Sequence, residues 1–507
     1  MSTALRPARS PQGSTAPRGE IKALTGLRAV AATWVVLYHF QGQLWPITDQ
    51  APFLKPLLNA GWTGVELFFV LSGVVIARSY LDECGRRWST RGALRFLFNR
   101  FARVWPAYAV VTVVAFSLIL VAQDIGLRTD VVSPHPAADL RHLASQLSMT
   151  QMWGRDTLVG SSFVNPAWSI SAEWLAYLCF PLLALAMCRF RRLHPAVSLT
   201  LAVAATAPLF LRAFQEGPHD TEVNWVLRIA CCFVAGVFVS LAVRGMEERK
   251  SADSWGLFLS VVSLAGVVLA CFWNTWRRAG DPTVDFAGVV TACYPLLVAG
   301  LMLTRRGPAR VLASAPLLYG GRISYCLYLV HFLVKEVALT LVWRPGDAPG
   351  ALTPGLVLAV PALVLLSGVL AAGLHHGVEE PARRLLLALW RRLPGEAGRR
   401  RVQVAAVPAA PALVTEARGL RQVLGPPTQR LAAVGGMRQP LPVRPALGHH
   451  AADVPRQGPM TVVPRRPIAS AAHGVRAGSV PRSAHPGSRG RGPAADGAHA
   501  RTVGRSS

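Results

Sequence analysis

The fold is decided by residues 62–80, which read WTGVELFFVLSGVVIARSY, together with the basic stretch that follows them. At 1.5 Å per residue, a helix of this length crosses a hydrocarbon layer of about 30 Å. Arg86, Arg87, Arg91 and Arg95 come next in the sequence. An apolar run that ends in arginines is typical of a transmembrane helix whose end lies on the cytoplasmic side.

The same pattern recurs through the first four-fifths of the chain and predicts an all-α integral membrane protein of about ten transmembrane helices. We place the helices at residues 27–46, 62–80, 106–123, 166–188, 195–214, 224–243, 255–275, 286–303, 317–342 and 351–376. Every second loop is rich in arginine, and the loops between are poorer in arginine or balanced by acids. This alternation predicts that the N- and C-termini are both cytoplasmic.

The composition supports a membrane protein over a soluble one. Of the 507 residues, 52% are hydrophobic and only 16% are charged, against roughly 25% charged residues in soluble domains. The net charge of +27 comes almost entirely from arginine, and membrane topology explains the arginines that lie between apolar segments, which argues against nucleic acid as a partner. We divide the chain into a flexible leader (1–20), a transmembrane domain (21–393) and a tail (394–507) whose Arg/Pro/Ala/Gly-rich composition predicts disorder.

Ionisable residues inside membrane helices are functional candidates, and three are prominent: His39, Glu173 and His331. If the first helix ends near Pro46, His39 lies about 10 Å from its outer end. If the fourth begins at the outer surface near Pro166, Glu173 has a similar depth. An imidazole and a carboxylate at one level can form a base and its orienting partner, which together activate a hydroxyl. A buried pair that only holds two helices together is the alternative.

Arg28, Arg100 and Arg103 are candidates for binding phosphate groups. Arg28 precedes His39 by eleven positions, about three helical turns, so the two project from roughly one face. Arg100 and Arg103 form a second group predicted on the same side of the membrane. Clustered guanidinium groups suit the phosphates of a nucleotide such as coenzyme A. Each of them is also explained by the positive-inside rule alone.

Further polar residues in the predicted helices are candidates for a substrate pocket. Ser72 can contact a ligand or bond back to its own helix, and Tyr325 and His331 are nearly two turns apart, so both can line one wall. The candidates are Glu66, Ser72, Trp168, Ser324, Tyr325 and His331.

Taken together, several stretches resemble acyltransferase family 3, the integral-membrane O-acyltransferases that modify lipopolysaccharide, peptidoglycan, Nod factors or macrolides. The resemblance covers residues 20–390 in the family's order, and no single motif carries it. Its parts are residues 24–29 with Tyr38 and His39, residues 61–73, 100–106, 165–173 and 321–331, then Arg228, Phe233 and Gly236, and residues 378–381.

The resemblance implies a ten-helix fold in the inner membrane, an acyl-CoA donor, with acetyl-CoA favoured, and a hydroxyl-bearing glycan or macrolide acceptor. It makes His39 the general base, Glu173 its partner or a second acid/base group, and Arg28, Arg100 and Arg103 donor-binding residues. No metal is expected. The tail lacks the pattern of the SGNH-type esterase domain fused to larger relatives, so a separate extracytoplasmic esterase of that type is a conceivable partner.

Two other functions are compatible with the residues themselves. A multi-pass transporter or flippase of a glycan or lipid-linked precursor also places ionisable groups inside the membrane. A catalytically silent scaffold that binds partners through the tail is the second alternative.

Overall fold

A computed structural model describes residues 20–216, 224–280, 287–342 and 354–392. The predicted leader and tail therefore lie outside the described residues. In chain order the α-helices are α1 (Lys22–His39), α2 (Gln41–Gln50), α3 (Lys55–Asn59), α4 (Gly64–Gly85), α5 (Thr90–Asp124), α6 (Leu140–Leu147), α7 (Trp168–Met187), α8 (Pro195–Glu216), α9 (Trp225–Met246), α10 (Ala252–Gly280), α11 (Tyr294–Leu303), α12 (Pro308–Leu312), α13 (Ala315–Val342), α14 (Pro354–Leu374) and α15 (Glu380–Arg392). No β-strand occurs in these ranges, so the all-α prediction is confirmed.

Within the described ranges, eight helical segments are long and apolar enough to cross a membrane. They are Pro52–Gly85, Thr90–Asp124, Asn165–Arg192, Pro195–Arg212, Trp225–Met246, Ala252–Arg277, Ala315–Val342 and Leu358–Arg392. The other two predicted spans correspond to α1 and to the shorter apolar helix Ala287–Leu303. Each of the ten predicted spans therefore overlaps a helix within the described residues, and the chain is a multi-pass membrane protein.

Pairs of neighbouring helices run in the directions that alternating spans require. Arg228 in α9 binds Glu66 in α4, and Arg244 binds Asp82; both pairs are 162 positions apart. A constant offset means that α4 and α9, the second and sixth spans, run parallel. Their backbones also approach closely, because a Cβ on Gly73 would lie 2.1 Å from the Phe233 carbonyl oxygen. Only glycine fits at such a crossing.

Helices α1 and α13 form a second parallel pair, and this pair positions the two histidines. Arg28 contacts Ser324, and His39 contacts Lys335, each 296 positions further along the chain. Gly321 permits this contact, since a Cβ there would lie 1.9 Å from the Thr25 carbonyl oxygen. Successive spans cross the membrane in alternating directions, so two parallel spans must both be odd-numbered or both even-numbered. The first and ninth spans meet this requirement.

The first span is shorter than predicted, because α1 ends at His39 and not near Pro46. Phe40 leaves the helical conformation at φ −91° and ψ 4°, and α2 starts immediately afterwards. The ammonium group of Lys335 donates a hydrogen bond to the His39 carbonyl oxygen, one of the acceptors that a helix end leaves without a partner. His39 is thus a terminal residue of α1.

The segment between α5 and α7 folds back into the bundle. Trp105, midway along α5, donates its indole N–H to the Leu147 carbonyl oxygen at 2.9 Å. Gln151 Nε2 donates to Tyr108 Oη and to the Ala167 carbonyl oxygen. Irregular backbone at membrane depth needs such partners from the protein. As a result, α7 begins well inside the bundle.

Candidate active site

A cavity of about 830 Å³ lies between α1, α4, α5, α7 and α13. All three arginines that the sequence predicts as donor-binding residues line it. Four of the predicted substrate-pocket and acid/base candidates also line it: Ser72, Glu173, Ser324 and Tyr325. The wall also contains Phe68, Phe69, Tyr177 and Tyr328. We call this space the arginine cavity.

Two of the arginines have few partners within the protein. Arg28 Nε lies 3.4 Å from Ser324 Oγ, and its guanidinium carbon lies 6.0 Å from the Phe68 ring. Arg100 lies over the Tyr80 ring at 5.6 Å, and its buried Nε has no hydrogen-bond partner among the described residues. Guanidinium groups placed in this way can still donate hydrogen bonds to an anion in the cavity.

Arg103 differs from the other two because it forms an ion pair with Glu379, whose side chain is fully buried. The other Glu379 oxygen accepts from Cys326 Sγ at 3.1 Å and lies 2.9 Å from His375 Nδ1. Cys326, His375 and Glu379 are residue types that bind metals, and their ligand atoms lie within 4.8 Å of one another. The positive charge of Arg103 on the Glu379 carboxylate disfavours a metal cation at this position. That the protein binds no metal stays a prediction.

Glu173 belongs to the arginine cavity. Ser72 Oγ donates to Glu173 Oε1 at 2.7 Å, and the Tyr177 hydroxyl donates to the same oxygen. Ser72 is therefore directed at α7, and the alternative that it bonds back to its own helix is wrong. The Glu173 carboxylate, held by two hydroxyl groups, interacts electrostatically with Arg28 and orders this part of the wall.

His39 and His331 form a pair at a different place in the bundle. His39 Nδ1 lies 3.0 Å from His331 Nε2, and the two ring centroids are 5.0 Å apart. His331 is fully buried, whereas His39 is only partly buried. The ring of Phe332 packs edge-on against His39 at 5.3 Å. His331, which the sequence offered only as a pocket candidate, is thus the direct neighbour of the predicted base.

The backbone contacts of the pair favour one tautomer of each ring. His39 Nδ1 lies 3.0 Å from the Val35 carbonyl oxygen, and His331 Nδ1 lies 3.0 Å from that of Leu327. Because a carbonyl oxygen only accepts, both Nδ1 atoms carry hydrogen. His331 Nε2 is then an acceptor, and the single His39 Nδ1–H is shared between it and the Val35 carbonyl oxygen. The remaining nitrogen, His39 Nε2, holds a lone pair and has no hydrogen-bond partner among the described residues.

The prediction that His39 and Glu173 meet at one height is wrong. The Pro166 carbonyl oxygen, just before α7, accepts a hydrogen bond from the Tyr328 hydroxyl at 2.8 Å. Tyr328 precedes the end of α13 at Val342 by fourteen residues, or about 21 Å of helix. The fourth span therefore starts deep in the bundle, and Glu173 lies below the level of the histidine pair. His331 occupies the place expected for Glu173.

Two other predicted pocket residues lie elsewhere. Glu66 is buried between α4 and α9, where Arg228 Nε lies 2.5 Å from its Oε1. Trp168 covers the same guanidinium group, with its ring 4.5 Å from the Arg228 carbon. Neither residue lines the arginine cavity, and their place in a substrate pocket stays a prediction. Their contacts give them a role in joining helices.

Sequence reasoning also missed functional neighbours. Lys335 lies four residues after His331, a spacing that puts both on one helix face. Tyr177 follows Glu173 by the same spacing. The i,i+4 pattern could have indicated both residues, whereas the contact of Tyr328 with Pro166 depends on the folded segment before α7.

Comparison with known proteins supports a membrane acyltransferase. Residues 21–372 match the family model described as an acyltransferase domain. Acyltransferase MdmB of Streptomyces mycarofaciens is 28% identical over 72% of this chain and 92% of its own length. Putative membrane-bound transacylase BcsY of Komagataeibacter xylinus is 27% identical over 70% and 82%. O-acetyltransferase OatA of Staphylococcus aureus is 23% identical over 74%, and the match spans 59% of OatA.

No solved structure matches the chain at a comparable level of significance. The family match nevertheless extends over the five helices around the arginine cavity, from α1, which carries Arg28 and His39, to α13, which carries His331. The chain therefore belongs to acyltransferase family 3 and is an integral-membrane acyltransferase that transfers groups other than aminoacyl groups.

Proposed function

We propose that this chain is an O-acyltransferase of the inner (plasma) membrane that moves an acyl group, in particular acetyl, from acyl-CoA to a hydroxyl. The acceptor class is a carbohydrate, a cell-envelope glycan or a glycosylated or macrolide metabolite. The observation that carries the proposal is the histidine pair, in which His39 Nε2 keeps a free lone pair while Nδ1–H faces His331 Nε2. No nucleic acid takes part.

In the proposed reaction, His39 Nε2 takes the proton of the acceptor hydroxyl as that oxygen attacks the thioester carbonyl carbon. The new C–O bond forms, the C–S bond breaks, and the imidazolium returns its proton to the departing CoA thiolate. His331 Nε2 and the Val35 carbonyl oxygen share the hydrogen of His39 Nδ1 and so stabilise the imidazolium. General-base catalysis of this kind contributes about 10²- to 10⁴-fold to a rate.

The arginine cavity supports the assignment of acyl-CoA as donor. Arg28 and Arg100 direct guanidinium groups into a space of about 830 Å³, which suits a nucleotide carrying several phosphates. Eleven residues separate Arg28 from His39 on one helix, or about 16 Å. The donor would bind by its phosphates near Arg28 and extend its thioester arm along α1 past Tyr328, whose ring lies 6.0 Å from that of His331.

The relatives' names favour a hydroxyl acceptor, since OatA is named an O-acetyltransferase. A separate extracytoplasmic SGNH-type esterase is a further partner in this proposal. It would act on the product after transfer and would not be needed for the first acyl exchange.

Purified protein in lipid vesicles tests the proposal. With acetyl-CoA, release of free CoA thiol should depend on added acceptor, and His39→Gln should reduce it at least 100-fold. His142→Gln is a matched control, because that histidine lies in the segment between α5 and α7, on α6, bonded to Asp139, and should retain full activity. Near-normal transfer by His39→Gln would overturn the proposed base.

The same vesicles distinguish a transporter or flippase from an acyltransferase. A transporter moves solute across the vesicle membrane without releasing CoA thiol and without forming an acylated product. Mass spectrometry of the acceptor detects the added acyl mass. Solute movement without that mass increase would favour the transporter.

A further inference from the structure

A second cavity, of about 190 Å³, lies between the ends of α5 and α13 that are opposite the arginine-rich loops. We call it the outer apolar pocket. Its wall is mostly aliphatic and aromatic, with Ile119, Phe332, Leu333 and Val337 among its members. Its volume is below that of pockets for whole drug-sized ligands, about 300–1,000 Å³. It therefore has room for one arm of a larger molecule.

The pocket lies beside the lipid-facing surface. Val121 at the end of α5 is 58% exposed, and Leu341 at the end of α13 is 70% exposed. Both line the pocket. Because exposed apolar side chains on a membrane span face lipid, a molecule dissolved in the outer part of the bilayer would meet this opening first.

One carboxylate stands in this apolar wall. Glu336 accepts a hydrogen bond from the Val132 backbone N–H at 3.3 Å. Throughout the described ranges, no ion pair within 4.0 Å is found for it. The adjacent Lys335 interacts with it electrostatically but donates its hydrogen bond to the His39 carbonyl oxygen, and His135, which also lines the pocket, contacts Thr129 and the Pro136 carbonyl oxygen. An ionised carboxylate in apolar surroundings is costly unless a cation or donor compensates it. The complementary ligand group is a protonated amine.

The pocket is separated from the histidine pair by a single side chain. Phe332 forms part of the pocket wall, and its ring packs edge-on against His39 with centroids 5.3 Å apart. His39 itself is partly exposed. Phe332 therefore belongs both to the pocket wall and to the surroundings of His39, so a ligand in the pocket lies one side chain away from the histidine pair.

We infer that the outer apolar pocket holds the acceptor, and that the acceptor is a membrane-partitioning amphiphile that carries a protonated amine besides its hydroxyl. The amine binds Glu336, the apolar arm fills the pocket, and the hydroxyl reaches His39. This inference rests on the proposed function for the last step only. Binding of the amphiphile does not require acyl transfer.

Three probes separate the contributions: 12-(dimethylamino)dodecan-1-ol, dodecan-1-ol and 2-(dimethylamino)ethanol. Equilibrium binding of each radiolabelled probe to the full protein in vesicles is measured after subtraction of protein-free vesicles. The long amino alcohol should bind tenfold or more tightly than the neutral alcohol, and the short one should not bind detectably. Equal binding of the two long probes would overturn the amine assignment.

Substitutions locate the site. Glu336→Gln should weaken binding of the long amino alcohol about tenfold or more and leave binding of dodecan-1-ol unchanged, because hydrogen bonds to charged groups are stronger than those between neutral groups. Glu83→Gln, in an exposed pair with Arg95 at the other end of the bundle, is the control and should change neither. Ala122→Phe, which adds a ring to the pocket wall, should weaken binding of both long probes. Unchanged binding in Glu336→Gln and Ala122→Phe would overturn the site.

Turnover keeps this inference distinct from the proposed function. Glu336-dependent binding without CoA release by the unsubstituted protein would support the pocket and contradict acyl transfer. CoA release with another acceptor, combined with no binding of the long amino alcohol, would support transfer and contradict the pocket. His39→Gln should bind the probe normally and release no CoA.

Discussion

Arg228→Met removes the positive partner of a carboxylate buried between α4 and α9. Arg228 Nε and Nη2 both lie 2.5 Å from Glu66 Oε1, and the two side chains are 5% and 2% exposed. Without the guanidinium, Glu66 remains in apolar surroundings with no charge opposite it. Loss of one partner from such a buried pair costs about 3–5 kcal/mol.

The expected change in melting temperature follows from that free energy. A destabilisation of 1 kcal/mol lowers Tm by roughly 2 °C in a domain of this size, so Arg228→Met should lower Tm by about 6–10 °C. The stacking of Arg228 on Trp168 at 4.5 Å is lost as well, which places the change towards the upper end. Arg95→Met, which breaks an exposed pair with Glu83 at 3.9 Å, should cost about 0–1 kcal/mol.

A buried thiol on α9 provides the assay. Cys232, four residues after Arg228, is fully buried, so a maleimide labels it only when the bundle opens. Labelling of Cys232 in detergent-solubilised protein is followed as temperature rises, with its peptide distinguished by mass spectrometry from that of the exposed Cys179. A labelling midpoint for Arg228→Met within 2 °C of the unsubstituted protein would refute the reasoning from the buried charge.

The double variant Glu66→Gln/Arg228→Met tests whether the two residues act as a pair. Removing both charges eliminates the uncompensated carboxylate, so the double variant should be at least as stable as Arg228→Met alone. If its midpoint instead falls by the sum of the two single changes, the residues are energetically independent and the ion pair does not join α4 to α9.

Three further changes address packing, chemistry and donor binding. Gly73→Ala places a Cβ 2.1 Å from the Phe233 carbonyl oxygen and should destabilise the protein by about 1–3 kcal/mol in the same thiol assay; Gly368→Ala, with nothing within 4 Å, should be neutral or slightly stabilising. His331→Gln should lower kcat about 100-fold with little change in the KM of acetyl-CoA, and a change confined to KM would contradict its place beside the base. Arg28→Met should raise the KM of acetyl-CoA about 10- to 100-fold in steady-state kinetics, and an unchanged KM would remove Arg28 from the donor site.

The membrane spans were predictable because hydropathy and loop charge are local properties of the sequence. Each predicted span corresponds to helix, and the parallel pairing of α4 with α9 agrees with the parity of the spans. The arginine cavity was also partly predictable. Arg28, Arg100 and Arg103 all line it, since arginines on the same side of a bundle converge when their helices pack together.

The partner of His39 was not predictable in the same way. The predicted depths of His39 and Glu173 depended on helix ends near Pro46 and Pro166, and hydropathy does not define these ends. The structure ends α1 at His39 and begins α7 far below the outer end of α13. Both differences arise from tertiary contacts, namely Lys335 on the His39 carbonyl oxygen and Tyr328 on that of Pro166. Such contacts join positions separated by more than 150 residues.

Because the neighbour of His39 is His331 and not the predicted Glu173, the electrostatics of the proposed reaction differ from those predicted. A carboxylate beside His39 would orient the ring and, through its negative charge, favour the imidazolium. A neutral imidazole that only accepts from Nδ1–H leaves His39 neutral, with its Nε2 lone pair available. The negative charge of Glu173 lies instead among the arginines, where it offsets their mutual repulsion while the cavity is empty. In the proposed reaction, the two halves of the site would thus separate the charges that bind an anionic donor from the neutral pair that accepts a proton.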